Sequence, residues 1–287
     1  MALGPRPAGS DASRRLAARL RRLLPDGRYQ PVPGRLRNVI GRVPGRTRAY
    51  VVVGAHYDTK DIPGFVGAND GASGTAVVTQ LARTIRPRRM RMTTVFAPFD
   101  GEESPAGTPD AQFEARGLRG SKIAAPHLRR ARAMVLLDFV GERGLRVPRE
   151  SFSNELLWSR LRAAARRVGA SRTFPFATQE GVLDDHIPFL REGVPAIDLI
   201  DFDFDCFHRT CDDLSPVSER SLDAVGGRST RCSPDSDTPD VVVVLGTTLS
   251  TSKYGRCRTA DPRASFGRRP FRPPPGRDSV PRHSMRP

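Results

Sequence analysis

Four apolar runs of strand length, each ending on polar or acidic residues, constrain this chain more than any other feature of its sequence. They are Tyr50–His56, Thr93–Phe99, 134–139 and 196–200. Helical periodicity lies between them. Residues 73–85 turn Val77, Val78, Leu81 and Ile85 inward, and residues 153–168 carry Leu156, Leu157, Leu161 and Val168 on one face. Another amphipathic helix is expected over 10–24, capped by Ser10 or Asp11, with Leu16, Leu20, Leu23 and Leu24 sharing a face. Strands alternating with helices imply an α/β fold. The expected form is a three-layer sandwich, a mostly parallel mixed sheet with helices on both faces. Such sheets bind ligands outside the carboxyl ends of their strands, and the polar clusters of this chain sit at those ends.

The pattern holds through residue 226 and then fails. A last helix begins near 217–224, with Ser218 able to cap it and Leu222 and Val225 spaced to pack inward, and it meets Gly226-Gly227 after about two turns. Residues 227–287 hold 9 of the 26 prolines, and 228–287 hold 12 basic and 5 acidic residues with no paired apolar face. Val241–Leu245 could form a lone strand with nothing to pair with. We therefore expect a catalytic domain over 1–226 and a disordered Arg/Pro/Ser-rich tail over 227–287, with the break in mid-helix suggesting a shifted reading frame. No apolar run is long enough to cross a membrane. The formal charge of +16 invites a nucleic-acid reading, but 44 of the 47 basic residues are arginines scattered along the chain rather than gathered in a stripe. We read this as a coding bias and expect no nucleic-acid partner.

The chemistry sits in five segments: GAHYDTK at 54–60, FVGANDGASG at 65–74, FDGEES at 99–104, LLDFVG at 136–141, and LDDHIPFL with FHRTCDD at 183–190 and 207–213. They present His56, Asp58, Asp70, Glu102, Glu103, Asp138, Asp185, His186 and His208. Histidine with carboxylate is the donor set that zinc takes in hydrolytic sites. The adjacent pair Glu102 and Glu103 suits a division of labour, one holding metal and the other acting as general base. Asp58 follows His56 by two residues and so shares a side of an extended chain, where it is expected to orient the imidazole. His186 is expected to back the site in the same way.

These five segments in this order resemble the zinc-dependent exopeptidase family that contains bacterial aminopeptidases and glutaminyl cyclases. The resemblance covers roughly residues 3–226. It implies metal ligation at His56, Asp70, Glu103, Asp138 and His208, with Glu102 as acid/base. FVGA-x-D, FDGEE, LLD-x-x-G and DDHIPFL-x-x-GVP look more like the cyclases. In cyclases one Zn2+ is held at the positions matching Asp70, Glu103 and His208, and Asp138 and Asp185 join a proton and hydrogen-bond network. In aminopeptidases two Zn2+ ions are bridged at the Asp70 position, with His56 and Asp138 as further ligands. The implied substrates are peptide or protein N-termini and the implied state a monomer.

Three departures separate this chain from animal cyclases. Phe207 stands where a Trp commonly precedes the late His, Asn69-Asp70-Gly71 replaces Thr-Asp-Ser, and SPAGTPDAQFEARG after Glu103 lacks a pocket Trp. Cys206 and Cys211 flank His208 and read as small buried thiols or a local disulfide, with a soft zinc site the weaker alternative. The opening LGPRPAGS lacks a signal-peptide pattern, which points to the cytoplasm. It also resembles a segment that the family normally places after further residues, in which case the true start lies upstream and the protein is exported.

Overall fold

A computed structural model describes residues 4–226 of the chain. The expectations for the segment after Gly226, including a strand at 241–245, lie outside the described residues. The strands are β1 (Arg28–Val32), β2 (Leu36–Val43), β3 (Tyr50–His56), β4 (Thr93–Phe99), β5 (Met134–Leu137), β6 (Arg149–Glu150), β7 (Thr178–Gln179) and β8 (Ala196–Leu199). The helices are α1 (Asp11–Leu23), α2 (Ala72–Thr84), α3 (Phe113–Arg116), α4 (Arg119–Leu128), α5 (Glu155–Arg167), α6 (His186–Arg191) and α7 (Glu219–Gly226).

Six strands form one mixed sheet in the order β1-β2-β4-β3-β5-β8. β3 pairs parallel with β4 and β5, and β5 pairs parallel with β8. β1 and β2 add an antiparallel edge. The sequence hid this hairpin because β1 (RYQPV) buries only Val32, and an edge strand exposed to water needs no apolar alternation. The central strands alternate between two cores, as the period of two requires. Val51, Val53 and Ala55 of β3 face α1, α2, α5 and α7, whereas Val52 faces α4 and α6. The α/β sandwich with helices on both faces is the architecture observed.

Local signals explain the helix boundaries. Ser10, not Asp11, caps α1, its side chain accepting from the Ser13 amide at 3.1 Å. Asn154 caps α5 in the same manner through the Leu157 amide. The inward face of α5 keeps Leu161, which is buried, and Leu157, which packs on the core, but Leu156 is 60% and Val168 36% exposed, and Trp158, Ala164 and Ala165 complete the buried stripe. The alanines let α5 approach the sheet closely, so the small residues define its packed stripe and the leucine count misleads.

One close approach places the cleft-forming end of the fold. A Cβ on Gly74 would lie 2.0 Å from the Leu137 carbonyl oxygen, so α2 rests directly on the end of β5. Gly74→Ala should therefore lower stability by about 1–3 kcal/mol through overpacking, read as a reduced urea midpoint with unchanged slope. An unchanged midpoint would mean that α2 does not rest on β5.

Candidate metal centre and its cleft

The carboxyl ends of β3, β4, β5 and β8 lead into a cleft of about 610 Å3. β3 ends on His56, which is buried. Asp138 is the first residue beyond β5 and donates its amide to Leu199 O at 3.1 Å. Glu102 and Glu103 follow β4 on a loop held from behind by Asp58. The two Asp58 oxygens accept the Glu102 and Glu103 amides at 3.3 and 3.2 Å. Asp70 lies on the turn into α2. At the next position Gly71 has φ +73°, and a Cβ there would meet His56 Cε1 at 2.8 Å, so only glycine lets this turn lie against the imidazole. His208 arrives from the loop after β8 with φ +51°.

These residues converge as two triads that share Asp70. The ligating atoms of His56, Asp70 and Asp138 lie within 4.8 Å of one another, as do those of Asp70, Glu103 and His208. His56 Nε2 is 3.2 Å from Asp70 Oδ1 and 3.3 Å from Asp138 Oδ1. His208 Nε2 is 3.2 Å from Glu103 Oε1 and 3.6 Å from Asp70 Oδ2. Donors bound tetrahedrally at zinc distances stand about 3.3–3.6 Å apart, so this spacing suits a cation among them. Asp70 Oδ2 and Glu103 Oε1 are moreover buried and accept no hydrogen bond. Buried carboxylate oxygens of that kind are costly without a positive partner. The donor chemistry and the orphaned oxygens both fit zinc.

The charges are tuned unevenly. Burial opposes a charged His56, but Asp138, assisted by Asp58 and Asp70, outweighs it and raises the imidazole pKa well above its usual value. Burial raises Asp70, with His56 opposing and Glu103 adding to the rise. Burial also works on Glu103, but the neighbouring His208 imidazole and the Lys60 ammonium, 3.2 Å from Oε2, bring it below the ordinary range. Glu102 moves the other way. Burial, reinforced by Glu103, Asp184 and Asp185 against the pull of His56, holds its carboxyl well above the usual value. Neighbouring glutamates with opposite proton affinities match an acid/base beside a ligand.

Three expectations need correction. Asp185 does not line the cleft; Asp184 does, and Asp184 Oδ2 is buried without a hydrogen-bond partner. The pair leads directly into α6, and only one of two consecutive side chains can face the cleft there. His186 does not back the ligands, since its ring nitrogens face Glu150 at 3.4 Å and Asp198 at 3.8 Å. Asp58 lies 3.7 Å from His56 Nδ1, and its hydrogen bonds go to the Glu102 and Glu103 amides instead.

Sequence reasoning also passed over Lys60, Asp212 and Arg6. The Asp212 carboxylate receives the amides of Asn69 and Asp70 at 2.7 and 3.0 Å. Buried Arg6 reaches from the amino-terminal arm to Tyr57 O at 2.8 Å, Val66 O at 2.6 Å and Gly67 O at 2.9 Å, closing the loop that carries Asp70. Lys60 and Asp212 lie inside the quoted segments; Arg6 has no local signal of its role. The cleft walls are aromatic. Phe207 stacks on His208 with centroids 3.9 Å apart, and Phe139 and Phe202 stand 5.7 and 5.1 Å from Phe207. Cys206 and Cys211 are joined as a disulfide.

The profile of peptidase family M28 matches residues 38–230. Glutaminyl-peptide cyclotransferase of Bos taurus is 32% identical over 227 residues, 65% of this chain and 61% of that protein. The glutaminyl cyclase structure from an Acidobacteriales bacterium superposes with a TM-score of 0.68 at 28% identity, over 78% of this chain and 86% of that one. A leucine aminopeptidase precursor from Bacteroides thetaiotaomicron has the same fold, with a TM-score of 0.68 at 23% identity over 78% and 89%. The chain spans about three fifths of the length of the curated relatives it matches.

An acidic pair ties the cleft loops together away from the triads. Glu142 bridges to Val217 and joins the loop after β5 to the loop that follows His208. Burial, then Asp201 and the charges of Asp203 and Asp205, raise the Glu142 carboxyl to about 8. Its folded pKa thus exceeds the unfolded value of about 4.3. The stabilisation is complete below that value and is lost as pH rises through the folded pKa. The urea midpoint of metal-free protein should fall between about pH 4 and about pH 8, modestly because solvent screens the pair, and Glu142→Gln should flatten that slope. Identical slopes in the two proteins would remove Glu142 from the account.

Proposed function

The chain belongs to peptidase family M28, and we propose that within this family it is a zinc-dependent glutaminyl-peptide cyclotransferase, converting an N-terminal glutamine to pyroglutamate with release of ammonia. One observation carries the choice. Asp184 presents a buried, unpartnered oxygen to the cleft in addition to the groups needed for metal and base. An acceptor of that kind suits a substrate that brings a side-chain amide N–H to be held. The names of the Drosophila melanogaster and Bos taurus relatives, at 28% and 32% identity, support the same reading.

Asp70, Glu103 and His208 would hold the ion. Zinc there supplies a Lewis acid for the side-chain amide carbonyl of the substrate. Glu102, with its raised proton affinity, takes a proton from the substrate's α-amine and returns it to the departing ammonia. One carbon–nitrogen bond forms to the α-amine as the bond to the amide nitrogen breaks, and no water is consumed. Asp184, with Asp138, accepts hydrogen bonds from the amide nitrogen. Phe139, Phe202 and Phe207 shape an apolar wall that keeps competing water from the carbonyl. The Cys206–Cys211 disulfide supports work in an oxidising compartment, and hence export.

A second reading, a metallo-aminopeptidase, rests on the sharing of Asp70 between the triads. His56 and Asp138 would then hold a second ion, and Glu102 would take its proton from water.

Zinc-loaded protein should convert a Gln-initiated peptide to a product lighter by ammonia and leave a Leu-initiated peptide intact. Release of free leucine with the Gln peptide uncyclised would establish the aminopeptidase instead. Glu102→Gln should keep zinc and lose about 10²–10⁴ in turnover. Glu103→Gln should lose zinc affinity by equilibrium dialysis. Equal zinc loss in both variants would contradict the division of labour.

A further inference from the structure

We infer that the disulfide-closed loop Cys206–Cys211, together with Asp212, is the clamp that positions both ends of the metal centre at once. The inference rests on the metal reading above. Asp70 and His208 are 138 residues apart and belong to different loops. Neither loop is regular structure at that point: residues 200–218 contain no helix or strand, and residues 57–71 contain none. Something other than the sheet must therefore fix the 3.6 Å between His208 Nε2 and Asp70 Oδ2.

Asp212 supplies the link. Its main-chain carbonyl accepts the Ala68 amide at 3.2 Å, and its two carboxylate oxygens accept the Asn69 and Asp70 amides at 2.7 and 3.0 Å. Three consecutive N–H groups of the Asp70 turn thus end on one residue, which is fully buried. Asp212 itself follows Cys211 directly. The disulfide ties Cys211 back to Cys206, which packs on the Phe139, Ile200 and Phe204 cluster at the cleft wall. His208 lies inside this small ring, in a left-handed conformation that is uncommon for a residue other than glycine. Besides the bond, the backbone of the ring is held by turn contacts, Phe207 N to Phe204 O, Arg209 N to Cys206 O and Asp212 N to Arg209 O, each 3.0 Å, while Phe207 packs on Phe139 and Phe202 and His208 meets the edge of Phe65. The covalent closure joins the packed His208 side of the ring to the amide grip that aims Asp70. Cys211 is exposed, so a reductant can reach the bond.

Two measurements on the folded chain test the clamp. The disulfide is opened with a water-soluble phosphine, which yields two thiols and is oxidised to its phosphine oxide with oxygen from water. The phosphine is then removed under nitrogen. Amide hydrogen exchange of metal-free protein should accelerate in residues 68–70 as well as in the 206–212 loop. Zinc affinity, measured by chelator competition, should weaken about 10- to 100-fold, the range for groups that orient metal ligands. Asp212→Ala, with the disulfide intact, should reproduce both effects, whereas the double variant Cys206→Ser with Cys211→Ser should match the reduced protein. Unchanged exchange at 68–70 on reduction overturns the clamp, because it would mean that the Asp70 turn is held independently of the ring. Tighter zinc binding on reduction, with a thiolate-to-metal band in the cobalt form, also overturns it and makes the cysteines ligands. If oxidised protein binds no zinc, the metal reading fails, and the exchange comparison still decides the clamp.

Discussion

Everything at the cleft depends on the position of one carboxylate, that of Asp70. Its two oxygens face two histidines in different directions, Oδ1 toward His56 and Oδ2 toward His208. A carboxylate buried this deeply costs several kcal/mol unless positive charge or hydrogen bonds meet it. Its backbone is therefore fixed from three sides. Asp212 takes the amides of the turn, Arg6 takes the carbonyls that precede it, and Gly71 lets the turn lie flat against His56. A side chain held so firmly gains specificity at the expense of stability, since its Oδ2 accepts no hydrogen bond from the protein. That imbalance is what a site built for a cation looks like before the cation is considered.

The surroundings extend the same logic. The chain as a whole is strongly basic, yet the cleft gathers Asp70, Glu102, Glu103, Asp138 and Asp184, with Lys60 its one lysine. Local field, not net charge, decides what enters such a site. Such a field attracts cationic groups, as the proposed N-terminal substrate would require. Burial beside the aromatic wall then separates the glutamates by proton affinity. Lys60 and His208 keep Glu103 ionised, whereas Glu102, surrounded by other carboxylates, holds its proton more tightly.

The fold makes this concentration of charge possible. Parallel strands end together, so β3, β4, β5 and β8 deliver their loops to a single edge. Helices on both faces bury the strands completely, and the alternation of Val51, Val52 and Val53 between two cores leaves no freedom to slip by one residue. Behind that edge the cores are closely packed, including the contact of Gly74 on Leu137.

By itself the sequence determined the α/β class, the central strands and the set of loops carrying the chemistry. Apolar runs and polar run-ends are local properties, and strand ends in a parallel sheet are neighbours by construction. It also marked Glu102 and Glu103 as a pair. What it left undecided was everything that depends on rotation or on distance through space. Whether Asp184 or Asp185 faces the cleft turns on the first residues of α6, where one step of chain rotates the side chain about 100°. The β1–β2 hairpin escaped notice because edge strand β1 needs no buried face, and because Arg37, Asn38, Gly41 and Arg42 interrupt the apolar run of the inner strand β2. Beside Leu161, which the periodicity marked, the inward stripe of α5 is carried by Trp158 and by Ala164 and Ala165, small residues that hydrophobic counting underrates. The grip of Asp212 and Arg6 on the Asp70 turn spans 142 and 64 residues of chain. Only the tertiary structure decides such contacts, because hydrogen bonds between distant loops leave no periodicity in the sequence that forms them.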